Sequence, residues 1–392
     1  MIITDVFAWI HYTQGGRISR QAMQPDVIPM ARPSWDDEMR QAAIDTLDSG
    51  RWVKGPHSKQ FGEEFASYIG VDVASPCQSG TASLWASLRV LDIGEGDEVI
   101  VPSMTFISTA TSVSLVGATP VFTDVEEDYW CICPRDLEAK ITEKTKAVIA
   151  VHLYGQMCSP EIYDICKKYG LALIEDAAQA HGASQILGGE KKMAGSIGDV
   201  GCFSFFPSKN MSVGGEGGML TCKNDEIQEK VRTVIDHGRG SDLQSMHLGS
   251  NLRMPEVLAS IGRVQLKSLE QWVKRRNEIA LELDESISQV SGISPPKRRD
   301  GVVHAFHQYI VNCDAAASFR AHMEEKSVST RVYYTTPCHK QPIFEDHPQF
   351  EDSFPVTENR TEQLVAIPVF HEMTGEELAR IKSAISSYSV PS

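Results

Sequence analysis

Between residues 96 and 178 the chain repeats one pattern, a short apolar run followed by a turn or a helical stripe. Val99-Ile100-Val101 is apolar without alternation, as a strand buried on both faces must be. The runs in KAVIAVHLYGQ and GLALIEDAA repeat it, and a helix is expected between them over Glu161 to Tyr169. Strands that alternate with helices in this way build a mainly parallel sheet covered by helices on both faces. The fold class expected is therefore α/β.

Composition narrows the function classes. Apolar residues make up 42% of 392, enough for a large core without disulfides or metal. The formal net charge of −15 argues against a nucleic-acid surface. No apolar run approaches the roughly 18 residues of a membrane span. The first residues lack the basic-then-apolar order of a signal peptide. Nine cysteines are scattered without a CxxC pair, unlike a disulfide framework or a zinc site. A cytoplasmic enzyme is the natural class.

Two stretches carry candidate chemistry. In GCFSFFPSKNMSVGGEGG, Gly201 to Gly218, a single Lys209 stands between a β-like run and a glycine-rich segment. A lysine in a partly dry pocket loses its proton more easily and can attack a carbonyl; a solvated surface lysine is the plainer reading. In LALIEDAAQAHGA, Leu171 to Ala183, an apolar strand ends in Glu175-Asp176. Carboxyl ends of strands are where open α/β sheets bind ligands. Pyridoxal phosphate needs both a Schiff-base lysine and an acidic partner for its ring nitrogen. Lys209 and Asp176 supply these types 33 residues apart.

EDAAQAHGA followed by FSFFPSKN…GEGG resembles the DegT/StrS-type nucleotide-sugar aminotransferases, from about Pro33 to the C-terminus. That resemblance implies the pyridoxal-phosphate transferase fold of type I. It would comprise a seven-stranded-type sheet domain over residues 29–270 and a smaller α+β domain over 271–392, with an extension over 1–28 that the pattern does not match. It implies catalysis by Lys209 and Asp176, with Gln179 beside the ring hydroxyl. Gly80 and Thr81 fall where the family binds the cofactor phosphate; Ser79-Gly80-Thr81 is otherwise simply a good helix start. Ser204 resembles a second phosphate contact. Phe106 stands where the family stacks an aromatic on the pyridine ring, although a core Phe would read the same. Asn251, with Arg253, matches an NxR whose Asn reaches the phosphate of a neighbouring subunit; the plain reading is a loop cap. Trp52, His181, Tyr333 and His339 are candidate substrate contacts, each also readable as packing.

The resemblance further implies a keto-sugar nucleotide as acceptor, glutamate as donor, and a homodimer with shared sites. Three alternatives stay open: a sugar dehydratase or lyase, a keto-cyclitol aminotransferase, and a non-catalytic regulatory relative. No nucleic acid, membrane or metal partner is expected.

Overall fold

A computed structural model describes residues 27–242 and 244–390, so all but the last two residues of the expected N-terminal extension lie outside it. Nine strands come first in the chain. They are β1 (Val73–Cys77), β2 (Glu98–Pro102), β3 (Thr119–Thr123), β4 (Thr145–Val151), β5 (Ala172–Asp176), β6 (Ser184–Leu187), β7 (Glu190–Met193), β8 (Val200–Ser204) and β9 (Gly218–Cys222). Seven of them form one sheet in the order β1-β9-β8-β5-β4-β2-β3. β9 runs antiparallel to both its neighbours, and every other pair is parallel. The α/β expectation and the seven-stranded sheet are both met. The β6–β7 hairpin, paired with a later strand, is a small addition that the sequence did not announce.

The first helices are α1 (Asp37–Asp48), α2 (Pro56–Ile69), α3 (Gly80–Val90), α4 (Ser108–Leu115), α5 (Pro134–Ala139) and α6 (Glu161–Tyr169). They cover the sheet as its side chains dictate. Strand residues alternate between faces, so Val99 and Val101 join Leu84 and Leu88 of α3 in one core. Ile100 between them points the other way, to Leu137 of α5 and Ile162 of α6. A cluster of aromatic side chains, Phe61, Phe65, Phe203 and Phe205, fills the space behind β8.

Three further helices follow, α7 (Asp225–Val234), α8 (Glu256–Leu266) and α9 (Leu269–Ile287). The sequence reads as one continuous helical run from Glu256 to about Ile287, but the structure breaks it at Lys267-Ser268. The latter half of α9 supplies Ile279, Leu283 and Ile287 to a second core. That core is closed by β12 (Tyr309–Cys313), β13 (Leu364–Ile367) and β10 (Ile293–Ser294), and by α10 (Ala316–Glu325) and α12 (Gly375–Ser386); α11 (Pro355–Gln363) lies beside β12, whereas β11 (Val302–Val303) pairs with β6. α12 begins with a capping box between Thr374 and Glu377, close to where its start was expected.

Other local expectations need correction. The sequence pattern offers Ser34 as the N-cap of α1, but Asp36 caps it, accepting from the Met39 amide at 2.8 Å. Ser34 is engaged by His371 instead. Residues 327–334 read as a strand in the sequence, but only isolated bridges form there, at Val328 and Arg331. Residues 305–313 also read as one strand, but it begins only at Tyr309, because Phe306 sits at φ +43°, outside any β conformation. All nine cysteines are free, and all but Cys133 are buried, as small hydrophobes would be.

Candidate active site

The carboxyl ends of β2, β5 and β8 and the first turns of α3 and α4 meet at one place. Asp176 is the last residue of β5 and is buried. Its Oδ2 accepts from the Thr109 hydroxyl at 2.9 Å and its Oδ1 from the Ala178 amide at 3.2 Å. Both donors are neutral. Burial raises the Asp176 pKa above the ordinary carboxylate value, and the Thr109 and Ala178 bonds, then the Lys209 charge, only partly offset it. A buried carboxylate in this condition is suited to a cationic partner.

Lys209 lies in the loop after β8, its amide donating to the Phe206 carbonyl at 2.8 Å. Its side chain is half-buried, and among the described residues its amine has no hydrogen bond or ion pair. Burial pushes its pKa down to about 8, against the opposing pull of Asp176. An ordinary lysine at pH 8 is less than about one per cent neutral; here about half of the amine is free to attack.

The start of α3 lies beside them. Ser79 caps it, accepting from the Ala82 amide at 3.1 Å. Gly80 and Thr81 follow with their amides at the positive end of the helix. A Cβ on Gly80 would stand 2.8 Å from the Ser204 Cβ, and one on Gly218 would strike the Ser79 backbone at 2.4 Å. These glycines therefore let the end of β8 close against the helix, so that Ser204 faces the same cradle. The Thr81 hydroxyl donates to Ser108 at 2.8 Å, tying α3 to α4. Phe106, just before α4, is 58% exposed, an open aromatic face one turn from Thr109.

Gln179 is buried between two segments. Its Oε1 accepts from the Tyr154 amide at 2.7 Å and its Nε2 donates to the Tyr334 hydroxyl at 2.6 Å. His181 is fully buried against Phe203 and Phe205. The Ser204 backbone approaches it without reaching hydrogen-bond geometry. Burial first, then the Lys209 charge, lowers its pKa to about 3, so the ring is neutral.

The other predicted contacts lie apart. His339 is fully buried, bonded to Ser103 at 2.5 Å and packed edge-on against Phe354. The structure places it in the core, where a dissolved substrate does not reach it. Trp52 is 59% exposed and donates to the Leu47 carbonyl, away from Lys209 and Asp176. Tyr333 is half-buried; its neighbour Tyr334 makes the bond to Gln179. Asn251 is exposed, and among the described residues its side chain makes no hydrogen bond. Its loop runs along the end of β1, with the Leu252 carbonyl accepting from Gln78 at 2.7 Å. A cleft of about 670 Å³ follows the free edge of β1, lined by Lys54, Ser75, Arg232 and Arg253, and none of the Lys209–Asp176 groups lines it. Thr109 and Tyr334 are the residues that sequence reading missed, since no motif marks either.

Behind Asp176, on the opposite face of β5, sits a second carboxylate. Glu175 accepts from the amides of Gly195, Ile197 and Gly198 at 3.0, 2.7 and 2.7 Å, and pairs with His152 Nε2 at 2.8 Å. His152 Nδ1 accepts from the Cys158 amide at 3.1 Å, so the ring proton is on Nε2 and is donated to Glu175. Burial alone would raise the Glu175 pKa, but these bonds hold it below the usual range. The clamp is thus intact at neutral pH and is lost as the pH falls through that depressed value. Replacing Glu175 by Ala strands four buried donors and is expected to cost about 3 kcal/mol or more. Denaturant unfolding of the full chain checks it: a midpoint within error of wild type would mean that water satisfies the donors.

A lysine, a buried acid and an anion cradle thus converge in a sheet of this order. Residues 33–386 match the DegT/DnrJ/EryC1/StrS aminotransferase family. The chain belongs to that family. It is 37% identical over 350 residues to the UDP-N-acetyl-3-dehydro-alpha-D-glucosamine 3-aminotransferase of Acidithiobacillus ferrooxidans, covering 89% of this chain and 93% of that one. Among solved structures, S. venezuelae DesV in complex with a ketimine intermediate superposes with a TM-score of 0.85 at 33% identity, over 89% of this chain and 93% of that one. The PLP form of the putative sugar aminotransferase Spr1654 of Streptococcus pneumoniae gives 0.86 at 26% identity, over 92% and 98%. Among the described residues of this aminotransferase no helix is long and apolar enough to cross a membrane.

Proposed function

We propose that this chain transfers an amino group from L-glutamate to a nucleotide-linked keto-sugar, using pyridoxal phosphate, in amino-sugar or cell-surface polysaccharide biosynthesis. The observation that carries the reading is the convergence of Lys209, with its unpaired amine, and Asp176, a buried carboxylate facing only neutral donors. The residues present fit the cofactor. Lys209 would hold its aldehyde carbon and Asp176 its ring nitrogen. The Gly80 and Thr81 amides with the Ser204 hydroxyl would take its phosphate, and Phe106 would cover the ring.

When bound, pyridoxal phosphate supplies a ring that accepts the charge left as a proton departs from the carbon bearing nitrogen. The protein's own part is proton handling and placement. Lys209 Nζ, neutral for much of the time at pH 8, removes the proton from the donor's α-carbon as general base and later returns it as general acid. A cation beside Asp176 would favour its ionised form and so oppose the burial that raises its pKa. Thr109 fixes the carboxylate plane. His181, neutral and packed against Phe203 and Phe205, adds no charge beside Lys209.

Retention of both Lys209 and Asp176 with the anion cradle favours amination over a regulatory role. The purified protein should take up pyridoxal phosphate with a visible absorption band, and a panel of keto-sugar nucleotides should yield glutamate-dependent product. A protein that binds the cofactor but releases no 2-oxoglutarate with any acceptor would argue for dehydration or regulation instead.

Asn251 supports a dimeric reading. Its amide is exposed and idle in one subunit, and Trp52, Val53 and Leu248 are exposed apolar residues on the loops near it. A two-fold dimer would bury these and deliver Asn251 to the partner's phosphate cradle. Mixing a Lys209→Ala chain with an Asn251→Asp chain, and letting subunits exchange, should restore about one working site per mixed dimer. No recovery despite proven exchange would defeat shared sites. The free thiols agree with a cytoplasmic setting.

A further inference from the structure

Two exposed loops of this chain are sewn together by carboxylates that serve neither Lys209 nor its anion cradle. The first is Glu256, the opening residue of α8, completely buried and without an ion pair among the described residues. Its Oε2 accepts from the His57 amide at 2.7 Å, and its Oε1 from the Ser58 amide at 3.1 Å and from the Ser58 hydroxyl. Those amides are free donors at the start of α2, whose own cap position, Gly55, supplies no side chain. A serine or aspartate at 55 would cap such a helix locally, but a Cβ there would stand 2.7 Å from the Glu256 carboxylate. The cap therefore arrives from 199 residues away, and it brings a linkage that a local cap lacks.

The Glu256 amide adds a second stitch, donating to the Trp52 carbonyl at 2.9 Å. Asp236 adds a third. Its carboxylate accepts from Lys54 on one loop and from Arg253 on the other, and its backbone bridges to Asn251. Lys54 is held at φ +52°, where a non-glycine backbone persists only if its surroundings enforce it. The run from Trp52 to Ser58 and the run from Asn251 to Glu256 are thus one rigid piece. It carries the exposed Trp52 and the exposed Asn251 together, and neither belongs to the group around Lys209 and Asp176 in its own subunit.

We propose that Glu256 is a positioning residue for the site of the opposite subunit: by locking the two runs together, it sets where Asn251 and Trp52 stand against the ligand held there. The assignment rests on the aminotransferase reading and its shared-site dimer. In Glu256→Gln the new amide nitrogen faces a backbone donor, His57 or Ser58, so the lock loosens. Full-length chains with two different tags allow mixed dimers to be isolated free of both homodimers. Two such dimers carry the same two lesions in different arrangements. In the first, a chain with both Lys209→Ala and Glu256→Gln pairs with a wild-type chain, and the one lysine-bearing site receives its Asn251 run from the Glu256→Gln chain. In the second, a Lys209→Ala chain pairs with a Glu256→Gln chain, and the lysine-bearing site receives an intact run.

The readout is the pyridoxal phosphate concentration that half-fills the covalent absorption band, which only a Lys209 site produces. The first dimer is expected to need roughly tenfold more cofactor, as for one lost hydrogen bond to a charged group, and the second to match wild type. A merely structural role weakens both alike, so equal values, or a weaker second dimer, overturn the assignment. If Glu256→Gln chains do not fold, Asp236→Asn takes their place in both dimers. It releases Lys54 and Arg253 but leaves the α2 cap whole, and the same inequality is expected at about threefold; equal values again overturn the assignment. A wild-type chain that forms no covalent band sinks the aminotransferase reading, and this assignment with it. A normal band without recovery on mixing Lys209→Ala and Asn251→Asp chains sinks shared sites, and again this assignment. With both controls met, the two mixed dimers judge Glu256 alone.

Discussion

Lys209→Ala is expected to reduce amination by roughly 10³-fold or more while leaving the fold intact, since one side chain supplies both the covalent hold and the proton transfer. Nothing in the fold leans on its amine, which has no partner among the described residues. The phosphate cradle at Gly80 and Thr81, the Phe106 face and Asp176 are untouched by the change, so the variant should still bind the cofactor, without the covalent band. The measurement is single-turnover amination of a keto-sugar nucleotide alongside the absorption spectrum. Turnover at the wild-type rate would remove Lys209 from the mechanism. It would also remove the reason for reading this site as a transaminase.

The second large effect belongs to Asp176. Asp176→Asn keeps the shape and the Thr109 contact but removes the charge that would hold a proton on the ring nitrogen. A loss of about 10²- to 10³-fold in rate is expected, or roughly 3–4 kcal/mol of barrier. The pH dependence should change with it. On this reading Asp176 would keep the ring nitrogen protonated through neutral pH in the wild type, whereas in the variant that proton would be lost as the pH rises, and activity would fall towards alkaline pH. A rate profile and spectrum indistinguishable from wild type would mean that another acid serves the nitrogen.

What the sequence disclosed, and what it hid, divides along the range of the interactions involved. The alternation of apolar runs and helical stripes is local, and it led to the α/β sheet; the bounds of α6, Glu161–Tyr169, were legible to the residue. The order β1-β9-β8-β5-β4-β2-β3 was not, because pairing joins residues more than a hundred positions apart, such as Val73 and Cys222. Lys209 and Asp176 stood out because they supply the two residue types that pyridoxal phosphate needs, in two stretches that resemble a known family when read together. Thr109 was invisible, since a threonine in a helix start carries no chemical signature until a carboxylate is placed 2.9 Å away. His339 misled for the converse reason. A histidine two residues after a proline in a loop-like stretch looks available, and only the packing of Phe122 and Phe354 around it reveals that it is closed off. Tyr333 and Tyr334 are adjacent tyrosines, and a left-handed backbone at one of them decided which reaches Gln179.

Ser108 and Thr109 are neighbours in a single helical turn, yet the first is bonded to Thr81 at the anion cradle and the second to Asp176. The two ends of the site are therefore pegged to one rigid rod. Neither end can shift without carrying the other, so the span between them is set by the helix and not by the guest. On the proposed reading the pocket would gauge length: a flat ligand whose phosphate and ring nitrogen are the right distance apart would engage both pegs at once, and a shorter or longer analogue would forfeit one of them.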